Sequence, residues 1–125
     1  MNDETLLLRE ETDGVVRLTL NRPAAFNSLS NALLDALHDA LDDIAASPTA
    51  RVVVLAGNGK AFCAGHDLKE IGEERTAPAI QALFANCSAM MLKLQALPQP
   101  VIAEVDGIAT AAGCQLVAAC DLAIC

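Results

Sequence analysis

Tryptophan and tyrosine are absent from this 125-residue chain and phenylalanine occurs three times, so there are no aromatic platforms on which successive bases could stack. Basic side chains are scarce too. Eight Lys and Arg stand against sixteen Asp and Glu, a formal charge of −8, and a field of that sign repels a phosphate backbone. Nucleic acid is therefore not an expected partner. No apolar run approaches the roughly 20 residues needed to span a bilayer, and Met1-Asn2-Asp3-Glu4 has neither the basic segment nor the apolar stretch of a signal peptide. These features predict a soluble, cytoplasmic protein with no membrane partner. No CxxC pair occurs among Cys63, Cys87, Cys114, Cys120 and Cys125, and only two histidines are available, so no metal site is expected. The cysteines lie in apolar stretches and read as free core thiols in a reducing compartment.

What is present is apolar. Hydrophobic residues make up 54% of the chain and charged ones 19%, enough burial to offset the ordering entropy of one α/β domain. The final Leu122-Ala123-Ile124-Cys125 stands inside an apolar run with no closing turn, which reads as a chain cut in mid-element.

Leu6-Leu7-Leu8 and Val15 to Leu20 flank Asp13-Gly14, a pattern that predicts a hairpin with one buried face. Ser28 or Ser30 then caps a helix with Leu33, Leu34, Leu37, Leu41 and Ile44 at helical spacing, ending near Ser47-Pro48. Val52 to Leu55 is a continuous apolar run before Gly57-Asn58-Gly59, predicting a strand covered on both faces. Ala61 to Gly65 is short and apolar, Asp67 to Glu70 opens a helical turn, and a loop is expected through Gly72 to Thr76. From Pro78 to Leu97 apolar residues recur every three or four positions until Pro98 and Pro100 stop the helix, and its Met and Phe stripe reads as core packing. Val101-Ile102-Ala103 is a further buried strand, Asp106-Gly107 a turn, and Ala111 to Ala119 a short helix before the last strand. Strands and helices alternate, which is the α/β pattern; no repeat of fixed period is visible.

Nucleotide-loop motifs fail on inspection. GxGxxG needs a glycine where Phe62 stands, a phosphate loop ending at Gly59-Lys60 needs one at Val54, and no serine lies in GxSxG. Cys63, three residues before His66, could imitate a thiol and base pair, or be a buried small residue. Phe62-Cys63-Ala64-Gly65-His66-Asp67-Leu68-Lys69 and Gly107 to Gln115 place small residues at strand-to-helix junctions. Backbone N–H groups at such junctions can hold an oxyanion, and the same small residues can serve only close packing of a helix.

Leu20-Asn21-Arg22-Pro23, Asn27-Ser28-Leu29, Phe62 to Glu70, and Pro100 to Ala103 followed by Gly107 to Asp121 resemble, in order and separation, the motifs of the crotonase (enoyl-CoA hydratase/isomerase) superfamily. The Gly65 to Glu70 and Ala109 to Gln115 strings are most similar to the subgroup called enoyl-CoA hydratase domain-containing protein 3. The resemblance implies the ClpP/crotonase-like fold of repeated ββα units, assembled as homotrimers or dimers of trimers. Members run to roughly twice this length, so residues 1–125 would be the N-terminal part of a single domain, cut before the rest of the core and a C-terminal helical region.

The resemblance also implies a chemistry. Members bind acyl-CoA thioesters as substrate, hold no tightly bound cofactor, and polarise the thioester carbonyl with two backbone N–H groups, which align with His66 and Ala112. Ala64, Gly65, His66, Asp67, Leu68 and Lys69 would line the acyl-CoA channel with Ala112 and Gly113, while Arg22, Ala24 and Phe26 align with the region meeting the nucleotide end. Hydratases of the family carry a glutamate where this chain has Gln115. A carboxamide does not titrate near neutrality, so it can position water but not act as general acid or base. Hydration of an enoyl-CoA is the default reaction, with isomerisation, hydrolysis and decarboxylation as relatives. The alternative is a catalytically silent acyl-CoA binding or assembly protein.

Overall fold

The computed structural model describes residues 5–73 and 76–125, apart from the side chains of Glu70 and Glu73. The opening Met1 to Glu4 and the centre of the expected Gly72–Thr76 loop lie outside the described residues. The hairpin forms as the sequence predicts: β1 (Leu7–Thr12) pairs antiparallel with β2 (Val15–Leu20) through Asp13 and Gly14, both at positive φ. Ser30 caps α1 (Asn31–Ala45), its side chain accepting from the Leu33 N–H. Then follow β3 (Val52–Gly57), β4 (Ala61–Cys63), α2 (Leu68–Glu73), α3 (Ala77–Ala96), β5 (Val101–Glu104), β6 (Ile108–Ala109), α4 (Ala112–Ala119) and β7 (Leu122–Ile124).

Two sheets result. One has the order β1-β2-β3-β5-β7, parallel throughout except for the opening hairpin, and β4 pairs with β6 in a small parallel sheet. The chain thus twice runs from a strand of the large sheet to one of the small sheet, through helix, and back to the large sheet. These are the expected ββα units. The first holds the 20-residue α3 and the second the 8-residue α4, which is why no fixed period marks them in the sequence.

The core lies between one face of the large sheet and the helices. Val16, Leu18 and Leu20 of β2, Val53 and Leu55 of β3, and Val101 and Ala103 of β5 are buried against Leu33, Leu34, Leu37, Leu41 and Ile44 of α1 and Leu83, Cys87, Met90 and Leu94 of α3. Each such side chain contributes about 1.5–3 kcal/mol when removed from water.

Three expectations are corrected. Val52 and Val54 are half-buried, because their face of the sheet also carries Arg17, which is ion-paired with Glu104. Gly72 is helical, inside α2. Only Cys63 and Cys87 are buried; Cys114 and Cys125 are exposed and Cys120 is intermediate, all as free thiols. Their apolar surroundings in sequence do not translate into cover in space, since α4 turns Cys114 outward and β7 is exposed along its length. Among the described residues no helix is long and apolar enough to cross a membrane, and no cluster of three or more His, Cys, Asp or Glu could hold a metal.

Candidate functional site

The site begins where β4 ends. Ala64 donates its N–H to Phe26 O (3.0 Å), Gly65 O accepts from the Leu29 N–H (2.6 Å), and the Asp67 N–H donates to Leu29 O (3.2 Å). Leu29 and His66 therefore form a parallel bridge. In that pattern the residue between the two bonds turns its own N–H to the opposite side, so the His66 N–H points away from Leu29.

The second segment is held against the first. Thr110 donates its N–H to Cys63 O (3.1 Å) and its hydroxyl to Ala64 O (3.3 Å). Ala111 has φ 51 and ψ −121, a conformation that glycine adopts readily and alanine only at a cost of about 1–3 kcal/mol. From there α4 starts. Gly113 N–H donates to Thr110 O, and Cys114 and Gln115 N–H both donate to Ala111 O. Of the helix's first four donors, Ala112 N–H alone finds no acceptor among the described residues.

Glycines allow the two segments to meet. A Cβ on Gly65, which has φ +101, would come 3.2 Å from Ala111 Cβ and 3.5 Å from Ala112 N; one on Gly113 would come 2.1 Å from Cys63 O. The two unpaired N–H groups belong to adjoining stretches of backbone.

His66, Ala111, Ala112 and Gln115 line one side of a pocket of about 430 Å³, and Phe84, Cys87, Ser88 and Met91 of α3 line the other. The His66 ring is tilted 59° to Phe84 with centroids 4.7 Å apart. Its Nδ1 is buried without a hydrogen-bond partner, and burial holds the imidazole below its ordinary pKa of 6.5. Cys63 lies behind the site, its thiol pushed up to about 11 chiefly by burial. It stays protonated near neutrality, so the thiol and base reading of Cys63 and His66 lapses. The α3 stripe divides: Leu83, Cys87, Met90 and Leu94 are buried, whereas Phe84 is 45% exposed and Met91 half-buried, both facing the pocket. Reading the whole stripe as core missed this wall, although positions 84, 88 and 91 repeat the helical spacing one residue out of step with the buried row.

A second cleft, of about 510 Å³, lies on the other side of the same loop. Arg22, Ala24, Phe26, Ala64, His66, Asp67, Leu68 and Lys69 line it, with Ala25 and Ser28. The structure thus gathers every sequence-predicted site residue into one of two adjoining cavities sharing His66, except Gly65 and Gly113, which act as spacers behind them. Arg22 is not a loose cation. One guanidinium nitrogen donates to Ser28 O (2.6 Å) and Ser28 Oγ (3.2 Å), and the other to Asp67 Oδ2 (3.1 Å). This clamps the 3-10 turn Pro23–Ala25 to the start of α2.

Asn27 was overlooked as a positioning residue. It is fully buried, its Oδ1 accepts from the Arg22 N–H (2.7 Å), and its Nδ2 donates to Asn58 O and Ala61 O (both 2.8 Å). Asn27→Ala should destabilise the full-length protein by about 2–4 kcal/mol, since buried backbone groups lose their partners. The check is the urea midpoint, which would have to stay near wild type for the assignment to fail.

The enoyl-CoA hydratase/isomerase family model matches residues 10–125. The chain belongs to that family. It is 40% identical over 123 residues to the Danio rerio protein named enoyl-CoA hydratase domain-containing protein 3, mitochondrial, covering 98% of this chain and 43% of that one. The Homo sapiens protein of the same name is 40% identical over 114 residues, 91% of this chain and 38% of that one. A crystal structure of a Mycobacterium smegmatis enoyl-CoA hydratase superimposes with a TM-score of 0.93 at 60% identity, over 96% of this chain and 47% of that one. Both the crotonase fold and the likeness to that subgroup are borne out. This family member spans less than half the length of each of these three relatives. The cytoplasmic expectation does not stand: the subgroup relatives carry the word mitochondrial in their names, and the first four residues of a chain are too little to decide a compartment.

Proposed function

We propose that this chain contributes the oxyanion hole and part of the channel of an acyl-CoA-processing protein, with hydration of an enoyl-CoA as its reaction. One observation carries the reading: the N–H groups of His66 and Ala112, unpaired and on adjoining segments, belong to residues lining one pocket. A thioester enolate bears its charge on oxygen, and two preorganised donors about 3 Å from that oxygen lower the barrier by a few kcal/mol. The adjoining cleft, with Lys69 at its edge, is where the coenzyme would lie. Because the chain is acidic overall, recognition of an anionic coenzyme falls to local groups of this kind.

Gln115 in the same pocket favours a second reading, in which the protein binds acyl-CoA without turning it over. Assembly as a homotrimer or dimer of trimers belongs to the same proposal and is supported by the exposed Ile108, Leu122 and Ile124. Calorimetry of the full-length protein with butyryl-CoA should give micromolar binding. No heat, and no competition by free CoA, would remove the proposal.

A further inference from the structure

We infer that the imidazole of His66 is a proton-carrying group of the pocket, in the place of the carboxylate that Gln115 does not supply. The inference rests on the acyl-CoA reading above and deepens it, for there His66 serves only through its backbone N–H. The geometry supports a second duty. The ring packs against Phe84 in the pocket that Cys87, Ser88 and Gln115 also line, and it springs from the residue whose N–H is proposed to meet the thioester oxygen. One ring nitrogen is buried with no partner, which leaves the ring without the hydrogen-bonded anchoring of a structural histidine.

Among the described residues that line the two cavities, the charged and titratable neighbours leave this role to the ring. Cys87, facing it from α3, is held protonated by burial; α4 presents the amide of Gln115; and on the other side of the loop Arg22 and Asp67 are paired to each other, with Lys69 beyond. Burial is the cause of the lowered pKa of His66, and it keeps the imidazole neutral, hence basic, at pH 7.

The steps balance as follows. Nε2 of the imidazole, the ring nitrogen that is not buried, takes a proton from water while the water oxygen bonds to Cβ of the enoyl thioester. The Cα=Cβ electron pair shifts to join Cα to the carbonyl carbon, and the carbonyl π pair moves onto the thioester oxygen, held by the two N–H groups. The enolate then collapses, Cα takes the proton from the imidazolium, and the net change is addition of one water.

Crotonyl-CoA hydration by the full-length protein tests this. His66→Asn and His66→Ala both keep the backbone donor and remove the titrating ring. Each should lower kcat/KM by roughly 10²- to 10⁴-fold, leave the Kd for butyryl-CoA within a few-fold, and abolish the acid limb that the wild type shows below pH 6.5. Either folded variant with wild-type rate and limb overturns the inference, as does a wild type that binds acyl-CoA yet turns nothing over between about pH 5 and 9. A wild type that fails to bind acyl-CoA overturns the functional reading itself.

Discussion

Gly113→Ala is expected to cost the full-length protein most of its acyl-CoA turnover together with about 1–3 kcal/mol of stability. The added methyl would stand 2.1 Å from the Cys63 carbonyl oxygen, 2.8 Å from its carbon and 3.0 Å from Cys63 Cβ. None of these atoms can swing aside. The oxygen accepts the Thr110 N–H and Cys63 is fully buried at the end of β4, so the helix must retreat by about an ångström, the scale at which a misplaced group loses on the order of 10²-fold in rate. Retreat carries Ala112 N–H away from His66 N–H, the two donors proposed to hold the thioester oxygen. Thermal unfolding and single-turnover kinetics with crotonyl-CoA check both halves. A variant with wild-type melting and turnover would mean that the contact between α4 and β4 does not position the donors.

The second large effect is a gain. Gln115→Glu replaces an amide by a carboxylate of nearly the same shape on the exposed face of α4 that lines the pocket, so the fold should be kept. With the His66 ring beside it as partner, a second proton-carrying group should raise the hydration rate by roughly 10²- to 10⁴-fold. The new negative charge should also draw the His66 pKa upward. The acid limb of the rate profile therefore moves to higher pH than in the wild type. Loss of enoyl absorbance across a pH series reads both changes. No gain in rate, with butyryl-CoA binding intact, would favour the silent binding protein.

Much of this was legible in the sequence because it depends on local chemistry. Asp13-Gly14 suits a turn with two positive φ values, Ser30 stands where a helix needs an acceptor, and Pro98 and Pro100 stop α3. The site strings at Phe62 to Lys69 and Gly107 to Gln115 were legible as motifs, and the structure brings them side by side. What escaped depends on partners distant in sequence or on elements too short to have a period. β6 has two residues, so no alternation could announce it, and Gly72 continues α2 where its composition suggests a loop. The Arg22 to Asp67 pair spans 45 positions. Nothing local says that Asn27 will bolt three backbone groups, or that Ala111 will adopt a glycine-like conformation.

Helix α3 has a consequence for how such a protein can diverge. Leu83 and Met90 hold the core, Cys87 serves core and pocket alike, and Phe84, Ser88 and Met91, their immediate neighbours in sequence, shape the pocket wall. A change of volume at one of the wall positions tends to turn or shift the helix, and interiors packed at crystal density transmit that shift to the adjacent row. Selection for a different ligand shape would thus be paid in folding stability, and compensating changes are expected at positions 83, 87 and 90. Lineages should exchange these residues in pairs, wall with core, so that drift in specificity leaves a paired footprint along this one helix.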